Sequence, residues 1–231
     1  MKGIGQAVMT AALCAASIMA AFAGLGELGF SRSVSPTLIG HLARLFGDRA
    51  PERIEGWKKF ARNTAEWPSR EYEQSGEAEL LRPVNGYFNR LRSITDLAHW
   101  GIDDYWATPA EFLASGGGDC EDYAIAKYFT LKELGVPISR LRLVYVRTSR
   151  ANAAHMVLAY YATPDAEPLI MDNLEGRIQP VSDRPDLAPV YMFNDDDVQV
   201  LRGGIPGGRR DVRAVRQWGA LLEKLVRELT Y

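Results

Sequence analysis

The segment GGGDCEDYAIA, residues 116–126, sets Cys120 directly after three glycines and at the start of a helical pattern. A helix N-terminus supplies partial positive charge and free backbone N–H groups that favour a thiolate. Position therefore makes Cys120 a candidate nucleophile. The glycines would let the chain turn tightly and leave room for a substrate backbone, and helix-end amides, that of Cys120 included, could point at a developing oxyanion. Such a thiol needs a base to take and return its proton, and a group to orient that base. Of the three histidines, His41 and His99 fall in expected helices upstream, whereas His155 opens a strand shortly after the cysteine helix. His155 is the best base. Asp172 lies on the following strand inside LIMDN, where apolar neighbours make an unpartnered carboxylate costly. An imidazole N–H suits it. Taken singly, a cysteine, a histidine and an aspartate more often play structural parts; their order on helix, strand and strand is what points to covalent acyl chemistry.

Asp119, Glu121 and Asp122 surround the sulfur with like charge, which pushes a thiol pKa up and opposes the helix dipole. Two readings of them are open. Asp119 can cap the helix while Glu121 and Asp122 suit its first turn. Alternatively, the three carboxylates hold a divalent cation that neutralises them, and calcium accepts such flexible oxygen ligands. Three carboxylates cannot fill a calcium shell, so carbonyls, water or a distant residue such as Asp103 or Asp104 must help. Residues 119–130 lack the EF-hand pattern.

The elements that must position these residues are readable as patterns. Residues 32–48 and 51–67 have apolar positions at helical spacing, as does the stretch from Leu81 to a stop at Gly101. The cysteine helix runs over 121–135, with Gly135 as its stop. Three β-branched and aromatic runs follow, 141–148, 155–163 and 169–173. Together they predict an α+β fold, with a central helix carrying the cysteine packed on an antiparallel sheet and a helical N-terminal part. If His155 and Asp172 meet across a hairpin, its turn is centred near Thr163 and Pro164; a turn centred on Ala166 would set Asp172 opposite Tyr160. The glycine-rich 203–208 reads as a hinge, and 209–231 as an amphipathic helix docked on the body, with partner or membrane-surface binding as the competing role.

With 231 residues, 47% hydrophobic and 24% charged, the composition suits one substantial globular core. A formal charge of −2 and the lack of a basic, aromatic-interleaved run argue against nucleic acid as a partner. The sequence contains no Walker loop, GxSxG, HExxH or paired CxxC. Residues 1–23 have the parts of a signal peptide cleaved after Ala23, with an uncleaved anchor as the alternative. A lipid-modified cysteine is not expected at Cys14, which follows Leu13 rather than a small residue. Cleavage discards Cys14 and leaves Cys120 as the one thiol, in an oxidising compartment where a free cysteine is either buried or used. The domain reading is thus a leader at 1–23, the body at 24–202 and a hinge with helix at 203–231.

GDCEDYAIAKYFTLKELGVP, HMVLAYY and LIMDN, with VNGYFNRLRSITD and DDYWATPAEFLASGGGDCEDYA upstream, resemble the bacterial transglutaminase-like cysteine proteases over about Leu81 to Ile178. Within that family the likeness is to periplasmic proteases that release large biofilm adhesins from the outer membrane. The resemblance implies a papain-like, transglutaminase-type fold with Cys120, His155 and Asp172 as the triad. It implies calcium, which favours the metal reading of Asp119, Glu121 and Asp122. It further implies an adhesin substrate cut near its N-terminal retention module, and sequestration by the periplasmic domain of an inner-membrane cyclic-di-GMP receptor. Other readings of the same residues are a transglutaminase-type acyl transferase, a non-catalytic calcium-binding adaptor and a membrane-anchored structural protein.

Overall fold

The computed structural model describes residues 30–66, 76–149 and 153–231; the leader expected at 1–23 lies outside them. The chain opens with helices α1 (Phe30–Ser33), α2 (Pro36–Phe46) and α3 (Ala50–Ala65). Ser35 accepts from the Leu38 N–H and Pro36 follows it, so one expected helix becomes two. Helix α4 (Ala78–Phe88) ends well short of Gly101. Between them lie strand β1 (Arg92–Ser93) and helix α5 (Asp96–Trp100), the latter starting after Thr95. The single helix expected from Leu81 to Gly101 is thereby corrected. Periodicity ran through the break because Leu91 and Trp100 still face the core.

Helix α6 (Pro109–Ser115) is closed by a Thr108–Glu111 capping box and by Gly116 at φ 81°. Strand β2 (Gly117–Gly118) then pairs in parallel with β1, and helix α7 (Cys120–Glu133) begins. Every residue of α7 from Asp122 to Leu131 is buried, so this is a helix enclosed on all sides rather than an amphipathic surface one.

Strands β3 (Leu141–Thr148), β4 (Ala153–Tyr160), β5 (Leu169–Met171), β6 (Gln179–Pro180), β7 (Leu187–Phe193), β8 (Val198–Arg202) and β9 (Ile205–Arg210) form one antiparallel sheet in the order β6-β5-β4-β3-β7-β8-β9. Alternation on β4 sends Met156, Leu158 and Tyr160 into the core that holds α7, and Val157 and Ala159 into a smaller cluster with Val144, Val146 and Ile170. The α+β expectation of a central helix against an antiparallel sheet is what the chain adopts. The 203–208 segment is not a hinge. Gly203 and Gly204, both at positive φ, make the turn of a hairpin, and Ile205–Arg210 is its second strand.

Helix α8 (Arg216–Glu228) docks on the body through Trp218, which is fully buried against Tyr128, Phe129 and Phe193. Its polar side reaches the segment before α6. Lys224 donates to Trp106 O (2.6 Å) and Glu111 (2.9 Å), and lies 3.7 Å from the Tyr105 ring centroid; Gln217 donates to Asp104 (2.6 Å). Among the described residues, no helix is long and apolar enough to cross a membrane.

Candidate active site

Cys120 is the first residue of α7, and what holds it there is steric. A Cβ at Gly117 would lie 2.4 Å from Arg92 O, and one at Gly118 only 2.1 Å from Asp122 Oδ2. The glycines admit the β1–β2 pairing and the Asp119–Asp122 capping box that starts the helix. Close packing, rather than room for a substrate, is the local reason for them.

The Cys120 sulfur meets strand β4 at the Met156 N–H, the residue after His155. Its thiol donates to Glu121 Oε2 at 3.0 Å, and among the described residues no hydrogen bond joins it to His155. Burial pushes the thiol pKa well up, and the charge and hydrogen bond of Glu121 and the charge of Asp119 push it further. Burial and the neighbouring carboxylates thus both favour the protonated thiol.

His155 and Asp172 come together: Nε2 lies 2.8 Å from Asp172 Oδ1, with the two residues 4% and 1% exposed. The register differs from the one expected. Met171 pairs with Leu158 and Leu169 with Tyr160, so the hairpin is centred one residue later, between Pro164 and Asp165. Asp172 lies just beyond the end of β5 and reaches diagonally to His155. The shift preserves the face because it moves Asp172 by two residues along β4.

Burial alone would raise the Asp172 pKa. Hydrogen bonds from His155, from the Leu174 N–H (2.9 Å) and from Arg184 Nη2 (2.8 Å) outweigh it and hold the carboxyl well below the usual range. An ionised carboxylate only accepts, so Nε2 carries the imidazole proton and Nδ1 is the nitrogen left for a thiol. Asn89, at the end of α4, donates to the Asp172 backbone carbonyl (2.8 Å). Lys127, seven residues after Cys120 on α7 and 1% exposed, feels the Asp172 charge, while burial lowers its pKa to about 7.

The carboxylates at the helix start form a larger set than the sequence suggested. Ligand oxygens of Asp96, Asp104 and Glu121 lie within 4.8 Å of one another, as do those of Asp96, Asp119 and Asp122. Asp103, the other helper considered, is not among them. Asp96 Oδ1 and Asp119 Oδ1 are buried acceptors without a hydrogen-bond partner. Burial, then the neighbouring carboxylates, pushes Asp119 up to about 7; burial first, partly opposed by the Tyr105 N–H, pushes Asp96 to about 6. Burial likewise raises Glu121 and Asp122. Buried, converging oxygens with orphaned lone pairs fit a hard cation such as calcium.

Sequence reasoning missed Asp96, Asn89, Lys127 and Arg184. Only Lys127 carried a signal, as the one charge inside the apolar run YAIAKYF.

The bacterial transglutaminase-like cysteine proteinase (BTLCP) family model matches residues 56–187. EGTA-treated Legionella pneumophila LapG aligns with a TM-score of 0.69 and 38% identity, covering 81% of this chain and 95% of that one. Calcium-bound LapG from the same organism aligns with a TM-score of 0.66 and 38% identity, covering 81% and 97%. No curated protein sequence gives a significant match. The transglutaminase-like architecture expected from the sequence is the one these structures share.

Proposed function

Because the chain belongs to the bacterial transglutaminase-like cysteine proteinase family, we propose that it is a periplasmic, calcium-dependent cysteine endopeptidase that cuts the N-terminal region of a large cell-surface adhesin and so controls biofilm attachment. Cys120, His155 and Asp172 are its triad. The observation that carries this reading is the 2.8 Å His155–Asp172 hydrogen bond, on the strand position adjoining the one that meets the Cys120 sulfur.

In this mechanism Asp172 fixes the imbalance between the two imidazole nitrogens, so that His155 Nδ1 takes the Cys120 proton. The thiolate attacks the scissile carbonyl, and α7 N–H groups stabilise the oxyanion. His155 then returns the proton to the leaving amine, and a water activated by the same nitrogen hydrolyses the thioester. Asp119, Glu121 and Asp122, with Asp96 and Asp104, would hold calcium. When bound, the ion supplies positive charge that offsets the carboxylates around Cys120.

Two parts of the proposal rest on the family resemblance: the adhesin as substrate, and the periplasmic domain of a cyclic-di-GMP receptor as regulator. The test is incubation of the mature protein with a recombinant N-terminal adhesin fragment from the same genome, with calcium and with chelator. The wild type should cleave in calcium, and Cys120→Ala should not. A cleaving Cys120→Ala variant, or an intact fragment with active-site thiol and calcium both present, would sink the reading.

A further inference from the structure

We propose that Arg184 is a positioning residue of the triad, one that fixes the Asp172 carboxylate and with it the tautomer of His155; the inference rests on the triad reading above. Asp172 sits past the last ladder pair of β5, where no strand hydrogen bond orients it. A carboxylate there can rotate and offer either oxygen, or both, to the imidazole.

Arg184 removes that freedom. It is 3% exposed, and its Nη2 donates to Asp172 Oδ2 at 2.8 Å, leaving Oδ1 to accept from His155 and Leu174. The same guanidinium is also held by Asp186, with Nη1 left unbonded among the described residues. Its Nε and Nη2 donate to the two carboxylate oxygens of Asp186, each at 2.9 Å. The Arg184 main chain is pinned as well, with its N–H on Val181 O (3.0 Å) and its carbonyl accepting from the Leu187 N–H (3.1 Å). The result is a buried row, Asp186, Arg184, Asp172, His155, running from the segment before β7 to the base on β4.

The row also sets charge. A guanidinium on the opposite oxygen shares the carboxylate's charge. The groups that face this row are Asp186 beside Arg184 and Lys127 from α7 near Asp172. Only an arginine fork satisfies Asp172 and Asp186 together; a lysine ammonium is a single point.

The test compares Arg184→Gln and Arg184→Lys with the wild type, using the adhesin fragment for kinetics and 15N-histidine NMR for the His155 tautomer. Arg184→Gln should lower kcat roughly 10- to 100-fold, as loss of an imidazole's outer partner does, with KM little changed and His155 moved from the Nε2–H form to a mixture. Arg184→Lys should fall between. A folded Arg184→Gln protein with wild-type kcat and tautomer overturns the proposal. If Arg184→Gln does not fold, wild-type kcat and tautomer in Arg184→Lys overturn it equally. Cys120→Ala and Asp172→Asn in parallel separate the two layers. Cleavage by Cys120→Ala removes the triad, whereas inactive controls beside a wild-type Arg184→Gln remove Arg184 alone.

Discussion

His155 Nε2 and Asp172 Oδ1 lie 2.8 Å apart although the ladder ends at Leu158–Met171, so the pair meets on a diagonal beyond the paired part of the strands. The contact owes nothing to strand register beyond its parity. It is made by side chains that α4, β4 and the segment before β7 each grip separately, through Asn89, His155 and Arg184.

Replacing Asp172 by Asn should therefore cost kcat far more than KM. An amide has an N–H to present where the carboxylate had an acceptor, so Nε2 loses its reason to be protonated. The expected fall is roughly 100- to 10,000-fold, the span of general acid–base contributions. Steady-state kinetics on the adhesin fragment checks it, and an unchanged kcat would show that Asp172 only supports the fold.

Calcium should raise the thermal midpoint of the wild type and leave Asp119→Asn and Asp96→Asn nearly unmoved. A ligand that binds only the folded chain adds about 2.7 kcal/mol at a hundredfold excess over its Kd. Differential scanning fluorimetry with calcium and with EGTA measures this. Equal shifts in all three proteins would place the ion elsewhere.

Glu228 on α8 gives a pH signature of its own. It is half-buried, accepts from the Thr108 hydroxyl and lies near Glu111; burial first, then the Glu111 charge, pushes its pKa up to about 8. A folded value above the unfolded one means that its contribution is complete below the unfolded pKa and is lost as pH rises through about 8. Between pH 7 and 9 the wild-type melting temperature should drop more than that of Glu228→Gln. Parallel curves would contradict the assignment.

Two glycine substitutions should act in opposite directions. Gly118→Ala puts a methyl 2.1 Å from Asp122 Oδ2 and 2.9 Å from its Cβ, so the capping box must give way. Overpacking of this kind costs about 1–3 kcal/mol, and calcium affinity should fall with it. Gly86→Ala, inside α4 with open space around the new atom, should stabilise by about 0.5–1 kcal/mol through helix propensity. Denaturant melts of both variants settle the contrast.

Much of this was legible in the sequence wherever the signal was local. Strand β3 coincides with the run 141–148, and α7 begins where the glycines end. Cys120 and His155 stand on the elements their neighbours implied, and Asp172 falls just past the end of its strand. What escaped was tertiary. Asp96 opens a five-residue helix and joins Glu121 only because β1 pairs with β2. Arg184 sits in SDRPD, a string that reads as a turn and nothing more. Strand β9 was hidden by its own glycines, which signal flexibility to a reader of composition but here serve an exposed ladder whose geometry they tolerate. The register slipped for a related reason: the hairpin loop has no two-residue turn signature to fix its centre.

Helix α8 follows every residue of the site in chain order, yet it supplies the donors to Asp104 and to Trp106 O. A chain made from its N-terminus onward thus contains Cys120, His155 and Asp172 before the helix that walls the acidic centre. A nascent or prematurely terminated product ending at the β8–β9 hairpin carries the nucleophile and its base but not that wall. The last helix to be made is thus the one that ties Asp104 and the Trp106 carbonyl to the body.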